Sequence, residues 1–312
     1  MIANARMYSV SPEAAARWRT LLAAVIEHAG LHIEIIEHQE PAPIDDLWRR
    51  PDQAAVFMCG LPFSRAEPQP HLIAAPVPSP ADYRGLPQYW SEMVVRKDSN
   101  CHTLEDTFGR RIALTNLESQ SGCWAALYCL MSAAERLSGV GEKLPAAENS
   151  FATGGDIPLY QEVIEPQITP LGVMFAVLEG AAEVAPIDSY AYSLLQKYRP
   201  DLTSRLRVVA RTAHTPIPPL VASVAASDTG FKDLQGAFLE AHRISRILPL
   251  MADLLLERFV RPDPGAYDAL RANFETAHRY WRTHRFAATL HPAFAEALGS
   301  MAGWEPAACI DH

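Results

Sequence analysis

Lysine is scarce in this chain, accounting for four of its 27 cationic side chains, and the arginines form no basic block. With a formal net charge of −9 there is no electrostatic footprint for a nucleic-acid partner. A negative total leaves an anionic ligand open, because fixed dipoles around a site set the local field. Long apolar runs are missing as well: no stretch reaches the roughly 18–20 residues that cross a bilayer as a helix. The opening residues Met1-Ile2-Ala3-Asn4-Ala5-Arg6-Met7-Tyr8 have neither the charged start nor the apolar run of a leader peptide. Two placements therefore stay open, an exported one with the leader removed and a cytoplasmic one. Cysteine is sparse and unpaired in pattern. Cys59, Cys101, Cys123, Cys129 and Cys309 are odd in number and show no CxxC spacing, which predicts free thiols and excludes a zinc motif or a full disulfide framework. No internal repeat and no low-complexity tract interrupts the chain.

What is present fits two α/β domains. The 312 residues, 49% of them apolar and 20% charged, suffice for two buried cores. Residues 2–8 read as a strand, and 12–28 as a helix with Ala15, Trp18, Leu22 and Ile26 at helical spacing. Leu31, Ile33 and Ile35 alternate as in a half-buried strand, 45–50 suggest a short helix, and 54–58 a buried parallel strand. A loop is expected at Gly60, Pro62, Pro68 and Pro70, then strands over 71–77 and 89–95.

A second unit begins after Arg96-Lys97-Asp98. It reads as a short helix (104–108), a strand (111–114), a strong helix (122–137), a strand near 150–153, a helix within 159–180 and a buried strand over 184–187. Beyond a helix at 189–198 come strands at 207–211 and 220–223. Pro216, Pro218 and Pro219 suit a crossing between lobes, since proline cannot donate to a sheet ladder. The last 80 residues read as helical, with apolar faces over 238–259 and 267–281. The expected fold class is α/β and two-lobed, each lobe a mostly parallel sheet flanked by helices, with a C-terminal helical segment. The expected boundaries are 1–94 plus 192–312 for a larger, discontinuous lobe and 95–191 for a smaller inserted one.

Chemistry concentrates in Thr115-Asn116-Leu117-Glu118-Ser119-Gln120-Ser121-Gly122, which follows a strand and opens a helix. Free N–H groups and the macrodipole make a helix N-terminus a seat for anions. Ser119 and Ser121 add hydroxyls, and Gly122 lets backbone approach a ligand. A serine in that position also serves as a plain N-cap. Ser121 lacks the nucleophile-elbow glycines, since positions 119 and 123 are Ser and Cys. Gly139-Val140-Gly141-Glu142-Lys143 has no phosphate-loop spacing, and His278 and His284 are not spaced as a metal pair. Asp188 ends a buried strand, where α/β ligands bind, or else caps the helix that follows.

Several segments together resemble the phosphate/phosphonate-type (PhnD-like) substrate-binding proteins of ABC transporters, of the type 2 periplasmic-binding fold. They are Met7-Tyr8, Cys59-Gly60-Leu61-Pro62, Tyr89-Trp90-Ser91, Ser119-Gln120-Ser121-Gly122, Thr153-Gly154-Gly155 and Val184-Ala185-Pro186-Ile187-Asp188, spread over residues 2 to about 225. The resemblance implies a cleft in which Ser119, Ser121 and Gly122 hold an oxyanion. Tyr8 and Tyr89 would close over it, and Asp188 would accept a bond from the solute's polar or cationic end. Gly60, Ser91, Gln120 and Gly155 complete the implied ligand set. Asp156 stands where phosphonate-type members often place histidine. A carboxylate beside a dianion is unfavourable, which favours a zwitterion, monoanion or neutral heterocycle.

The implied function is the solute-binding component of an ABC-type uptake system for a small polar or anionic, phosphate/phosphonate-like solute. The implied protein has no catalytic residue, metal or cofactor, pairs with an ABC permease and is a periplasmic monomer. A cytoplasmic ligand sensor and a biosynthetic enzyme on the same fold, such as one handling thiamine precursors, are the competing expectations.

Overall fold

A computed structural model describes residues 1–140, 158–164, 167–226, 228–290 and 292–299. The chain forms two compact units. The first contains Met1–Tyr89, Ser193–Pro200 and His214–Ala269; the second contains Trp90–Tyr192, Asp201–Ala213 and the chain from Leu270 onward.

In chain order, the first unit contributes β1 (Ile2–Asn4), β2 (Glu34–Ile35), β3 (Gln53–Phe57), β4 (His71–Pro78) and β5 (Gln88–Tyr89). The second adds β6 (Ser91–Arg96), β7 (Arg111–Ala113), β8 (Tyr160–Ile164), β9 (Val184–Asp188) and β10 (Leu206–Arg211). Then β11 (Thr215–Pro216), β12 (Leu220–Ala222) and β13 (Leu256–Val260) return to the first unit, and β14 (Ala287–Thr289) to the second.

The first unit's main sheet runs β13-β4-β12-β3-β1-β2. It is parallel across β3-β1-β2 and antiparallel from β3 outward to β13. Every residue of β3 is buried, as a central strand requires. The helix Pro12–His28 covers this sheet. Ser11 caps it by accepting from the Ala14 amide at 3.1 Å, and proline occupies its first turn. Its Trp18 packs edge-on against Phe57 at 5.0 Å and stacks with Tyr8 at 6.3 Å.

The second sheet runs β10-β6-β9-β7-β8-β14, parallel from β9 to β14 and antiparallel from β9 to β10. Most strands in each sheet thus run the same way, with β12 and β13 opposed in the first and β6 in the second. The antiparallel strands are those that enter a sheet from the other unit or from the chain's return, where no βαβ crossover sets direction.

Several local expectations change. The N-terminal strand stops at Asn4, whose side chain accepts from the Arg6 amide at 2.7 Å and turns the chain into a 3₁₀ helix at Arg6–Tyr8. The expected loop at Gly60 is a short helix, Gly60–Arg65, in which Phe63 packs on Tyr267 at 5.1 Å. Residues 256–260 form a strand instead of helix: Leu256 and Phe259 are buried while Glu257 between them is exposed, and Leu255, at φ 55°, ends the helix before it.

The largest difference lies at the C-terminus. Residues 192–312 were expected to return whole to the first lobe, yet 201–213 and the chain from Leu270 group with the second unit. Trp281 Nε1 donates to the Leu127 carbonyl at 3.0 Å, Phe286 packs on Tyr160 at 5.6 Å, and β14 extends the sheet beside β8. Helical periodicity shows that one face is apolar without saying which unit it covers.

At the start of β7, the Arg111 side chain and backbone N–H both donate to Glu183, the shortest contact being 2.6 Å. Burial pushes the Glu183 carboxyl up, but the side-chain and backbone hydrogen bonds from Arg111 outweigh it and hold the group below its usual value. A depressed carboxylate stabilises the fold above its unfolded value of 4.5 and loses that contribution as pH falls through the folded one. Glu183→Gln should therefore flatten the pH dependence of urea unfolding below pH 4.5 and leave the slope near neutrality unchanged.

Candidate solute site in the second unit

Strand direction gathers the second unit's polar residues at one rim. β7, β8 and β9 are parallel, so their carboxyl ends share an edge. β6 runs opposite to β9 and begins at that edge with Ser91, which pairs in register with Asp188. β10 runs opposite to β6 and ends there, next to Thr212. A helix opens after each parallel strand: Ala125–Val140 after β7, Pro170–Leu178 after β8 and Ser189–Tyr198 after β9. The positive ends of these dipoles therefore sit at the rim where α/β ligands bind.

Each N-terminus is capped by the chain. Ser119 Oγ accepts from the Gly122 amide at 2.9 Å, and Thr169 Oγ1 accepts from the Gly172 amide at 3.1 Å. Asp188 Oδ1 accepts from the Tyr190 and Ala191 amides at 2.8 and 2.9 Å. The capping role thus holds for both Ser119 and Asp188.

Cross-links join these caps. Ser91 Oγ donates to the Ser121 carbonyl at 2.7 Å, the Ser91 amide donates to Thr212 Oγ1 at 2.9 Å, and Ser121 Oγ lies 3.5 Å from Asp188 Oδ2. Ser91, Gln120, Ser121 and Asp188 are all buried. One turn of π-helix, Gln120–Trp124, precedes the α-helix, a departure that often marks a functional site. Trp124 Nε1 donates back to the Leu117 carbonyl at 2.6 Å and closes the turn.

Gly122 is a glycine because of packing. A Cβ there would lie 2.1 Å from Thr115 Oγ1 and 2.7 Å from its Cγ2. Thr115 Oγ1 and Asn116 Oδ1 are buried with no hydrogen-bond partner, which is costly for polar atoms held out of water.

On the opposite face of β6, Glu92 accepts from Trp90 Nε1 at 2.9 Å and from Arg211 Nε at 3.0 Å, and the Arg211 guanidinium lies over the Trp90 ring. Burial pushes the Cys123 thiol far above its usual value, so it holds no thiolate at neutral pH. Ser121 Oγ has a carboxylate, not an imidazole, as its side-chain neighbour.

Of the ten residues expected from the sequence, Ser91, Ser119, Gln120, Ser121, Gly122 and Asp188 converge at this rim. Tyr8, Gly60 and Tyr89 belong to the first unit. Tyr8 and Tyr89 are fully buried, Tyr8 against Trp18 and Phe57, and Gly60 opens the short helix 60–65. Gly155, the neighbouring Asp156, the strand expected near 150–153 and Cys309 lie outside the described residues.

Thr212, Glu92 and Trp124 escaped sequence reading. A threonine after the alternating 206–211 strand was the only signal for the first. Trp124 sat inside a helical pattern that explained it without a role.

Helix N-termini and hydroxyls at the carboxyl ends of parallel strands, in one of two α/β units that share a discontinuous chain, define the solute-binding class of type 2 periplasmic folds. Residues 8–267 match the family described as ABC transporter, phosphonate, periplasmic substrate-binding protein, and the chain belongs to that family. No curated protein matches it in sequence.

Among solved structures, a binding protein component of an ABC phosphonate transporter from Pseudomonas aeruginosa is similar at TM-score 0.71 and 18% identity, covering 95% of this chain and 92% of that one. PhnD1 from Prochlorococcus marinus, in complex with methylphosphonate, is similar at TM-score 0.67 and 14% identity, covering 88% and 97%. A Xanthomonas citri protein bound to ATP is similar at TM-score 0.57 and 18% identity, covering 90% and 98%. At these identities the similarity is one of fold.

Proposed function

We propose that this member of the family binds a small oxyanion-bearing solute, phosphate- or phosphonate-like, at the rim of its second unit and delivers it to an ABC permease. The observation that carries this reading is the rim itself. The helix N-termini that follow β7 and β9 converge there with Ser91, Ser121 and the unpartnered Thr115 Oγ1. Ser119, Gln120, Ser121 and Gly122 hold the oxyanion. Asp188 favours a solute with fewer than two net negative charges, or one with a cationic end. Two features support binding without turnover: the carboxylate beside Ser121 is committed to two backbone amides at a helix start, and the Cys123 thiol is buried and protonated. A periplasmic, monomeric protein fits the family.

Calorimetric titration with inorganic phosphate, methylphosphonate, 2-aminoethylphosphonate and a sulfonate tests the reading. At least one should bind and raise the melting temperature. Ser121→Ala should weaken that binding roughly tenfold or more, the loss of one hydrogen bond to a charged group, without lowering stability comparably. No binding by any of the four, or equal binding in the variant, would defeat it.

A further inference from the structure

We infer that Phe274 is a positioning residue for the oxyanion turn, acting through Trp124. The family match ends at residue 267, and the helix Asp268–Thr283 begins directly after it. From Leu270 onward this helix belongs to the second unit. Its Phe274 ring meets the Trp124 indole edge-on, with centroids 4.4 Å apart and planes 77° apart. His278, buried one turn further on, stacks on Phe274 at 5.5 Å and lies 6.0 Å from Trp124.

Trp124 does more than fill space. Its Nε1 holds the Leu117 carbonyl at 2.6 Å and its backbone amide donates to the Ser119 carbonyl at 3.2 Å, so residue 124 closes the Leu117–Trp124 turn through both its indole and its backbone. Ser119, Gln120, Ser121 and Gly122 all lie between these two bonds. A π-helical turn departs from the regular i−4 hydrogen-bond ladder, so its shape depends on neighbours more than an α-helical turn does.

The neighbour is Phe274. Its ring blocks the indole from swinging away, which would release the Leu117 carbonyl and let the Ser121 and Gly122 amides turn out of line. Phe274 is only half-buried, whereas Leu270, Ala277, His278 and Trp281 of the same helix are buried. Truncating it should leave the helix anchored. The segment outside the family match thus sets the precision of the turn that the match contains, as second-layer packing does in pre-organised sites.

The proposal rests on the oxyanion reading, and the test separates the two. Phe274→Ala, Phe274→Tyr and a control, Phe286→Leu, are compared in the full chain by amide hydrogen exchange and by titration with methylphosphonate and inorganic phosphate. Phe274→Ala should speed exchange of the 120–124 amides while β6 and β9 stay protected. It should weaken binding about threefold to tenfold, the worth of one aromatic pair. Phe274→Tyr keeps the ring edge and should behave as the parent. Phe286→Leu should lower stability without touching either readout.

Unchanged exchange at 120–124 in Phe274→Ala would overturn the positioning role, as would equal losses in Phe274→Tyr. If neither probe binds the parent, the oxyanion reading fails, and exchange alone decides whether Phe274 braces the turn.

Discussion

Gly122→Ala is expected to destabilise the protein by about 3 kcal/mol, the upper range for an overpacked core, and to abolish solute binding. The added methyl would meet Thr115 Oγ1 at 2.1 Å, Thr115 Cγ2 at 2.7 Å and Ser119 Oγ at 2.9 Å. Thr115 has little freedom to retreat. Its amide donates to the Gly122 carbonyl at 3.1 Å, and the residue is buried. Relief must come from the Thr115 side chain or from opening the π-turn, and opening it misaligns every amide offered to the solute. Thr115→Ala removes both of the closest atoms. The double variant Thr115→Ala/Gly122→Ala should recover most of the stability in denaturant titrations, giving a large coupling energy. Additive losses would show that the clash is elsewhere.

Asp188 carries the second large effect. Its Oδ1 takes two backbone amides at the start of the helix Ser189–Tyr198, and its Oδ2 faces the Ser121 hydroxyl. Asp188→Ala removes a buried cap and leaves those amides unpaired, at a cost of about 2 kcal/mol. Asp188→Asn keeps an acceptor oxygen for the cap, so its stability should stay close to that of the parent. Binding separates the two carboxylate roles. Without the negative charge, inorganic phosphate should bind more tightly and 2-aminoethylphosphonate less tightly. If both probes shift together, Asp188 acts as a cap alone. If Asp188→Asn unfolds as readily as the alanine variant, charge rather than geometry stabilises the helix start.

Much of this rim was legible from local chemistry. A serine-rich turn between a strand and a helix, and an aspartate ending a buried strand, point to a helix N-terminus whatever the rest of the chain does. The helices Pro12–His28 and Ser189–Tyr198 stand where period and capping put them. What stayed illegible depends on partners distant in sequence. That the side chain of Thr115 also requires a glycine at 122 could not be read from the turn itself. Residues 256–260 looked helical because Leu, Phe and Val suit either period, and antiparallel pairing with β4 decided the matter. Phe274 and Trp124 are 150 positions apart, and no spacing rule links them.

The interleaved order of the strands also bears on how the protein is made. The first sheet lacks its edge strand β13 until residue 260 has emerged, and the second lacks β14 until residue 289. The first unit cannot close before residue 260 nor the second before residue 289, so each waits on strands far along the chain from those that open it. The edges of β4 and β8 stay unpaired until β13 and β14 emerge, and open edges are templates for mispairing. Premature termination before residue 256 would leave both sheets incomplete at once.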